Sequence, residues 1–299
     1  MRSWTILSAL IGVVFCANMA LAQDRGAPLG WGRAVDGLLL YQGETDLAGG
    51  GTVSTRRMFL RGGAIYRFEN GNSLGVAAQV GRLTYDFSQT VAPWRDIEDR
   101  RITIPIRLGT ENGATVFLAP SLRYDYERGA NRSDGQTYGL FGGITWRVND
   151  RLVIGPGFGA FTELGTDDFD VFPALLVDWK IDERWTVSTG TGLGASQGPG
   201  LSLIYSASDA LSISLSARYE ELRFRLDGAG IAPNGVGEER SVPIVITARY
   251  APNPGISLTG FLGAEINGAL RIENAAGMLV SAQDFETAPV AGFAFRLLF

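Results

Sequence analysis

The chain has 299 residues, with 26 Lys and Arg against 31 Asp and Glu, 40 Gly, one Cys and no His. A charged fraction of 19% beside 45% hydrophobic residues excludes a disordered polyelectrolyte. The absence of His excludes a Ser-His-Asp triad, a Cys-His dyad and a His-based zinc site, and the net charge of −5 argues against nucleic acid as a partner.

Residues 1–22 read as a signal peptide. Arg2 gives the positive start, residues 4–15 the apolar run, and Ala20-Leu21-Ala22 a small-x-small cleavage site, so that Gln23 begins the mature chain. The run is shorter than the ~20 residues of a spanning helix. Cys16 falls inside it, behind a Phe15 too bulky for a lipoprotein site, so the mature chain has no thiol chemistry. Residues 23–33 form a short N-terminal segment, and everything from 34 to 299 alternates.

In 101–109, Ile102, Ile104, Ile106 and Leu108 face one way and Arg101, Thr103 and Arg107 the other. In 211–220, Leu211, Ile213, Leu215, Ala217 and Tyr219 alternate with Ser212, Ser214, Ser216, Arg218 and Glu220. In 241–250, Val242, Ile244, Ile246, Ala248 and Tyr250 alternate with Ser241, Thr247 and Arg249. A period of two means strands with one apolar face. Strands are expected near 34–44, 56–68, 73–87, 101–109, 115–126, 136–148, 151–163, 169–181, 185–196, 201–207, 211–225, 241–250, 256–266 and 287–299. Tight turns such as Asn70-Gly71-Asn72, Asn149-Asp150 and Pro252-Asn253-Pro254-Gly255 alternate with longer polar connections near 45–55, 88–100, 127–135, 164–168, 226–240 and 267–286. The pattern predicts an all-β fold: an antiparallel up-and-down transmembrane β-barrel of about fourteen strands (range about 12–16), tight turns on the periplasmic side.

Aromatic placement separates this reading from a soluble barrel. Tyr66, Phe68, Trp146, Trp179, Trp185, Tyr205 and Tyr250 lie on the apolar face beside the tight turns; Tyr85, Tyr126, Tyr138 and Tyr219, with Phe87, Tyr124 and Phe169, lie toward the long loops. Two aromatic girdles flanking an aliphatic band are what two membrane interfaces select. The last strand, with Phe293, Phe295, Leu297 and Phe299 on one face, resembles the C-terminal assembly signal of bacterial outer-membrane β-barrel proteins. That resemblance implies the bacterial outer membrane as location, recognition by the barrel-assembly machinery, and outer-membrane lipid and lipopolysaccharide as surroundings. It names no functionally characterised family. One chain of this length closes a barrel alone, so a monomer is the default.

Chemical motifs are weak. Gly194-Ala195-Ser196-Gln197-Gly198 matches a nucleophile elbow without a base or a strand-to-helix context, and Gly190–Ala195 matches a dinucleotide fingerprint with no helix after it. Asp167, Asp168 and Asp170 crowd one loop, which reads as a solvated acidic rim or as carboxylates spaced for a divalent cation. No catalytic residue, metal site or cofactor is assigned, and the outer-membrane enzymes of this architecture each use a His that is missing here. The inward face carries the information: Arg57, Arg61, Arg67, Arg101, Arg107, Arg123, Arg147, Arg218, Arg249 and Arg296 against Asp125, Glu127, Asp178, Glu220 and Glu265, with Lys180. Two readings stay open. One is a narrow or gated channel for small solutes with an anion bias from lumen arginines. The other is a non-conducting structural or surface-interaction barrel whose charges pair and plug it.

Overall fold

The computed structural model describes residues 29–166, 169–189 and 200–299. Residues 1–28, which include the stretch read as a signal peptide, Asp167, Asp168 and the motifs within 190–199 lie outside the described residues.

Strand segments follow one another as β1 (Gly30–Asp46), β2 (Thr52–Arg67), β3 (Ser73–Ser88), β4 (Asp96–Thr103), β5 (Ile106–Gly109), β6 (Ala114–Glu127), β7 (Gln136–Asn149), β8 (Leu152–Thr162) and β9 (Phe169–Lys180). They continue as β10 (Trp185–Ser188), β11 (Gly200–Ser206), β12 (Leu211–Arg218), β13 (Glu220–Arg225), β14 (Val236–Asn253), β15 (Ile256–Glu273), β16 (Leu279–Phe285) and β17 (Ala288–Leu298). Three breaks split single staves: β4 from β5 at Ile104-Pro105, β12 from β13 at Tyr219, and β16 from β17 at Glu286-Thr287. The result is a closed antiparallel barrel of fourteen strands, shut by β1 against β17 from Ala34↔Leu298 to Gln42↔Val290. Closure matters physically, because a barrel leaves no unpaired strand edge in hydrocarbon.

One face of every stave turns outward. Leu39, Leu60, Val80, Ile102, Leu175, Leu215 and Ile246 are exposed on that face, and an outward apolar band on a closed barrel is the arrangement that lipid stabilises. Both ends of the described chain meet at the tight-turn end, where Arg33 N donates to Phe299 O (3.0 Å). The fold class, an outer-membrane type of barrel, is thus the one expected.

The inner wall is built from a repeated cross-strand pair of Phe and Gly. Phe59 lies opposite Gly81, Phe161 opposite Gly139, Phe172 opposite Gly159, Phe224 opposite Gly237, Phe261 opposite Gly292 and Phe285 opposite Gly268. In each pair the ring occupies the space a side chain on the glycine would need; a Cβ on Gly159 would sit 1.8 Å from Phe172 Cζ. The glycines are therefore floors for rings lying flat against the wall.

The long connections are shorter than expected. Strands run on to leave 47–51, 89–95, 226–235 and 274–278 as loops, where 45–55, 88–100, 226–240 and 267–286 are expected. On these added stretches Val53, Ile97, Leu270, Ile272 and Phe285 are buried inside.

Candidate functional site

The closed barrel encloses a lumen, and among the described residues its lining falls into three layers. At the tight-turn end, the inward positions carry Arg61, Arg67, Arg107, Arg147, Arg249, Arg296 and Lys180 against Asp36 and Asp178. Asp36 bridges Arg61 (3.5 Å) and Arg296, and Arg249 Nε donates to Ser257 Oγ (2.9 Å). Seven cations against two carboxylates give this vestibule a positive potential.

Above it sits a locked layer. Arg57 reaches from β2 across the lumen to three carboxylates: Glu239 (2.8 Å), Glu220 (3.3 Å) and Glu265 (3.3 Å). Tyr85 donates its hydroxyl to Glu239. Beside this cluster, Asp99 accepts from Gln79 (2.7 Å) and pairs with Arg123 (3.2 Å) and Arg101 (3.4 Å), while Arg123 also holds Asp125 (3.0 Å). With Arg218 buried near Glu220, four arginines meet five carboxylates here. The excess of cations among the described lumen residues thus lies in the vestibule, and the layer above it is close to balanced. Burial makes each such charge dependent on its partners, because desolvation costs several kcal/mol per ion.

The third layer, toward the loops, is apolar. Leu83, Ile97, Leu222, Phe224, Leu226 and Ile272 pack with Trp94 into one buried cluster inside the mouth. Trp94 is 1% exposed, and its ring meets Phe224 edge to face at 5.0 Å, with Tyr85 (5.7 Å) and Phe87 (6.0 Å) alongside. Contacts between β2–β4 and β13–β15 are possible only across the interior, so this cluster fills the lumen rather than lining it.

Of the lumen residues expected from the sequence, Arg57, Arg101, Arg123, Arg218, Glu220 and Glu265 are buried on the face opposite the exposed apolar band. The structure brings Arg57, Glu220 and Glu265 together with Arg218 close by, joins Arg101 to Arg123 through Asp99, and joins Arg61 to Arg296 through Asp36. Asp36, Asp99 and Glu239 are the partners sequence reading missed. Asp99 and Glu239 lie in stretches read as loops, although Ile97, Asp99 and Arg101 keep step at a spacing of two.

The tight-turn girdle is in place: Tyr66, Trp146, Trp179, Trp185 and Tyr250 are exposed outward, and Tyr205 packs on Trp185 (4.9 Å). Phe293 points outward as well, and the Phe295 ring covers Gly37. The loop-end girdle is corrected. Tyr85 points inward and is 5% exposed; Tyr126, 8% exposed, is covered at Gly135; Tyr219 sits half-buried at a strand break with its hydroxyl on Glu221 (2.9 Å). Tyr138 and Phe169, 6.3 Å apart, are exposed on the outer face, and Tyr126 sits on that face beneath Arg100. Ion pairs occupy the rest of that rim, Arg56–Asp86 (3.3 Å) and Arg100–Glu98 (3.4 Å) among them. A girdle ring must sit beside hydrocarbon, and these staves continue past it.

No family model matches the chain, and no curated protein is similar to it in sequence. Solved structures similar in fold include an outer membrane channel from Pseudomonas putida F1, at 10% identity and TM-score 0.49, covering 92% of this chain and 97% of that one. The P. putida toluene transporter TodX has 8% identity and TM-score 0.46, with 95% and 92% covered. The KdgM porin has 11% identity and TM-score 0.37, with 87% and 97% covered. Overlaps this loose carry no function across; the barrel stands on its own strand pairing.

Proposed function

We propose that this protein is an outer-membrane channel for small solutes, with an anion preference set by the vestibule arginines and with its loop end closed in this conformation. The observation that carries the reading is the contrast within the lumen. A barrel meant only to be rigid has no use for seven cations around a vestibule facing two carboxylates, whereas rings of Arg favour anions in pores. The second reading, a non-conducting structural or surface-interaction barrel, draws on the ion-pair layer and the apolar layer that fill the mouth. No catalytic role is proposed for the lumen charges.

Conductance in planar bilayers tests both. The channel reading predicts discrete openings with a reversal potential on the anion side in a salt gradient. Arg67→Glu with Arg107→Glu shifts that preference toward cations. Steady silence under all voltages supports the non-conducting barrel, and openings whose selectivity ignores both substitutions remove the vestibule from the selectivity role.

A further inference from the structure

Five neighbouring staves are interrupted along one continuous line. β12 gives way to β13 at Tyr219, opposite Val242 and Pro243, and proline has no N–H for the ladder. β14 slips register against β15 between Arg240 and Val242, and β15 carries Asn267 at a φ of 53°. Across the next ladder, pairing lapses between Glu265↔Ala288 and Gly268↔Phe285, where β16 ends and β17 begins. β1 then slips between Gln42 and Thr45. By contrast, β2·β3 and β8·β9 pair from end to end with no shift.

Beyond that line, β13, residues 236–240, residues 268–273 and β16 form one hydrogen-bonded panel. The β13 edge of the panel turns in from the wall, while its β16 edge stays tied to the β1 side through Leu47↔Phe285 and through Glu286 N donating to Asp46 O (2.9 Å). Its β13 touches β6, although β7 to β11 separate the two around the ring, through a parallel bridge at Arg225↔Tyr126. Asp227 N donates to Glu127 Oε2 (3.0 Å) and Arg225 Nε to Asp134 O (2.9 Å). One face of β13 seats Phe224 on Trp94; the other sends Arg223 to Glu163 (3.4 Å) and to Leu164 O (3.3 Å) on the β8 side.

We propose that this panel is the gate of the channel, hinged on the line of strand breaks and latched by Trp94 against Phe224 and by the β13–β6 bridge. The proposal rests on the channel reading above. Bulges and breaks concentrate bending at a few positions, which lets a panel swing with most of its own ladder intact. The panel also holds Glu239 on Arg57 (2.8 Å) and Tyr85 and packs Leu222 and Ile272 with Leu83 and Ile97, so swinging it out has to part these contacts along with the latch.

The test is a reversible lock. The sequence's sole cysteine is Cys16, so Tyr126→Cys with Arg225→Cys forms the one designed disulfide, between positions that face each other in the bridge. Folding is verified by heat-modifiable mobility. In bilayers, the oxidised double variant is expected to lose openings and to regain wild-type openings on reduction; Trp94→Ala is expected to raise the open fraction by more than about tenfold. Equal conductance before and after reduction, with an unchanged Trp94→Ala variant, overturns the gate and leaves the channel reading standing. Silence of the wild type, the reduced variant and Trp94→Ala together removes the channel reading and the gate with it.

Discussion

The two halves of β3 face opposite worlds with the same period. Toward the tight turn, Leu74, Val76 and Val80 point outward and are exposed, while Ala77 and Gln79 point in. Toward the loops, Arg82 and Asp86 point outward, while Leu83, Tyr85 and Phe87 point in and join the lumen cluster. The neighbouring stave β2 repeats the switch: Leu60 and Met58 point outward low on the strand, while above them Arg56 points outward and Val53 is buried inside. The difference teaches where the hydrocarbon stops. Inside the bilayer an apolar side chain is at home on the exterior; beyond it the exterior is wet, and apolar area is stabilised only by burial within. The lower half of this barrel is therefore inside-out and the upper half is built like a soluble barrel.

That comparison can be sharpened by removing charges. Arg57→Ala leaves Glu220, Glu239 and Glu265 buried without their common partner, and breaking such a cluster costs about 3–5 kcal/mol. Arg249→Ala removes a vestibule cation bonded to Ser257 beside open lumen and costs far less. Urea unfolding of the barrel refolded in lipid vesicles measures both; equal losses would mean that the two layers do not differ as described.

The wall itself gives a smaller effect. Gly159→Ala drives a methyl group into Phe172, and overpacking of this kind costs about 1–3 kcal/mol. The double variant with Phe172→Ala restores room, so the two losses are non-additive in the same unfolding assay. Gly260→Ala is the control, since a Cβ there meets nothing within 4 Å. A Gly159→Ala variant as stable as Gly260→Ala would reject the ring-on-glycine account of the inner wall.

What the sequence made legible was the alternation and its outward apolar band, because a period of two survives in any local window. The fourteen staves and the tight turns follow from it, as does the inward burial of Arg57, Arg101, Arg123 and Arg218. The upper barrel was not legible because the period persists there while the sign of the apolar face inverts. Asp96-Ile97-Glu98-Asp99-Arg100 reads as polar loop until Ile97 is seen packing inward against Leu222 and Phe224. Tyr85 misled for the same reason: on an unbroken outward band it would face lipid, and instead it donates to Glu239. The partners of Arg57 lie 163, 182 and 208 residues away, a separation that no local pattern reports.

Which face of each stave meets hydrocarbon is tested most directly at adjacent positions on β12. Leu215, 51% exposed on the outer face, and Ser214, on the inner face, share one strand and nearly one depth. Unfolding in lipid vesicles is expected to show Leu215→Arg less stable by about 2–4 kcal/mol and Ser214→Arg close to the parent. The reverse order, with arginine tolerated at 215 and destabilising at 214, would contradict the membrane-spanning barrel.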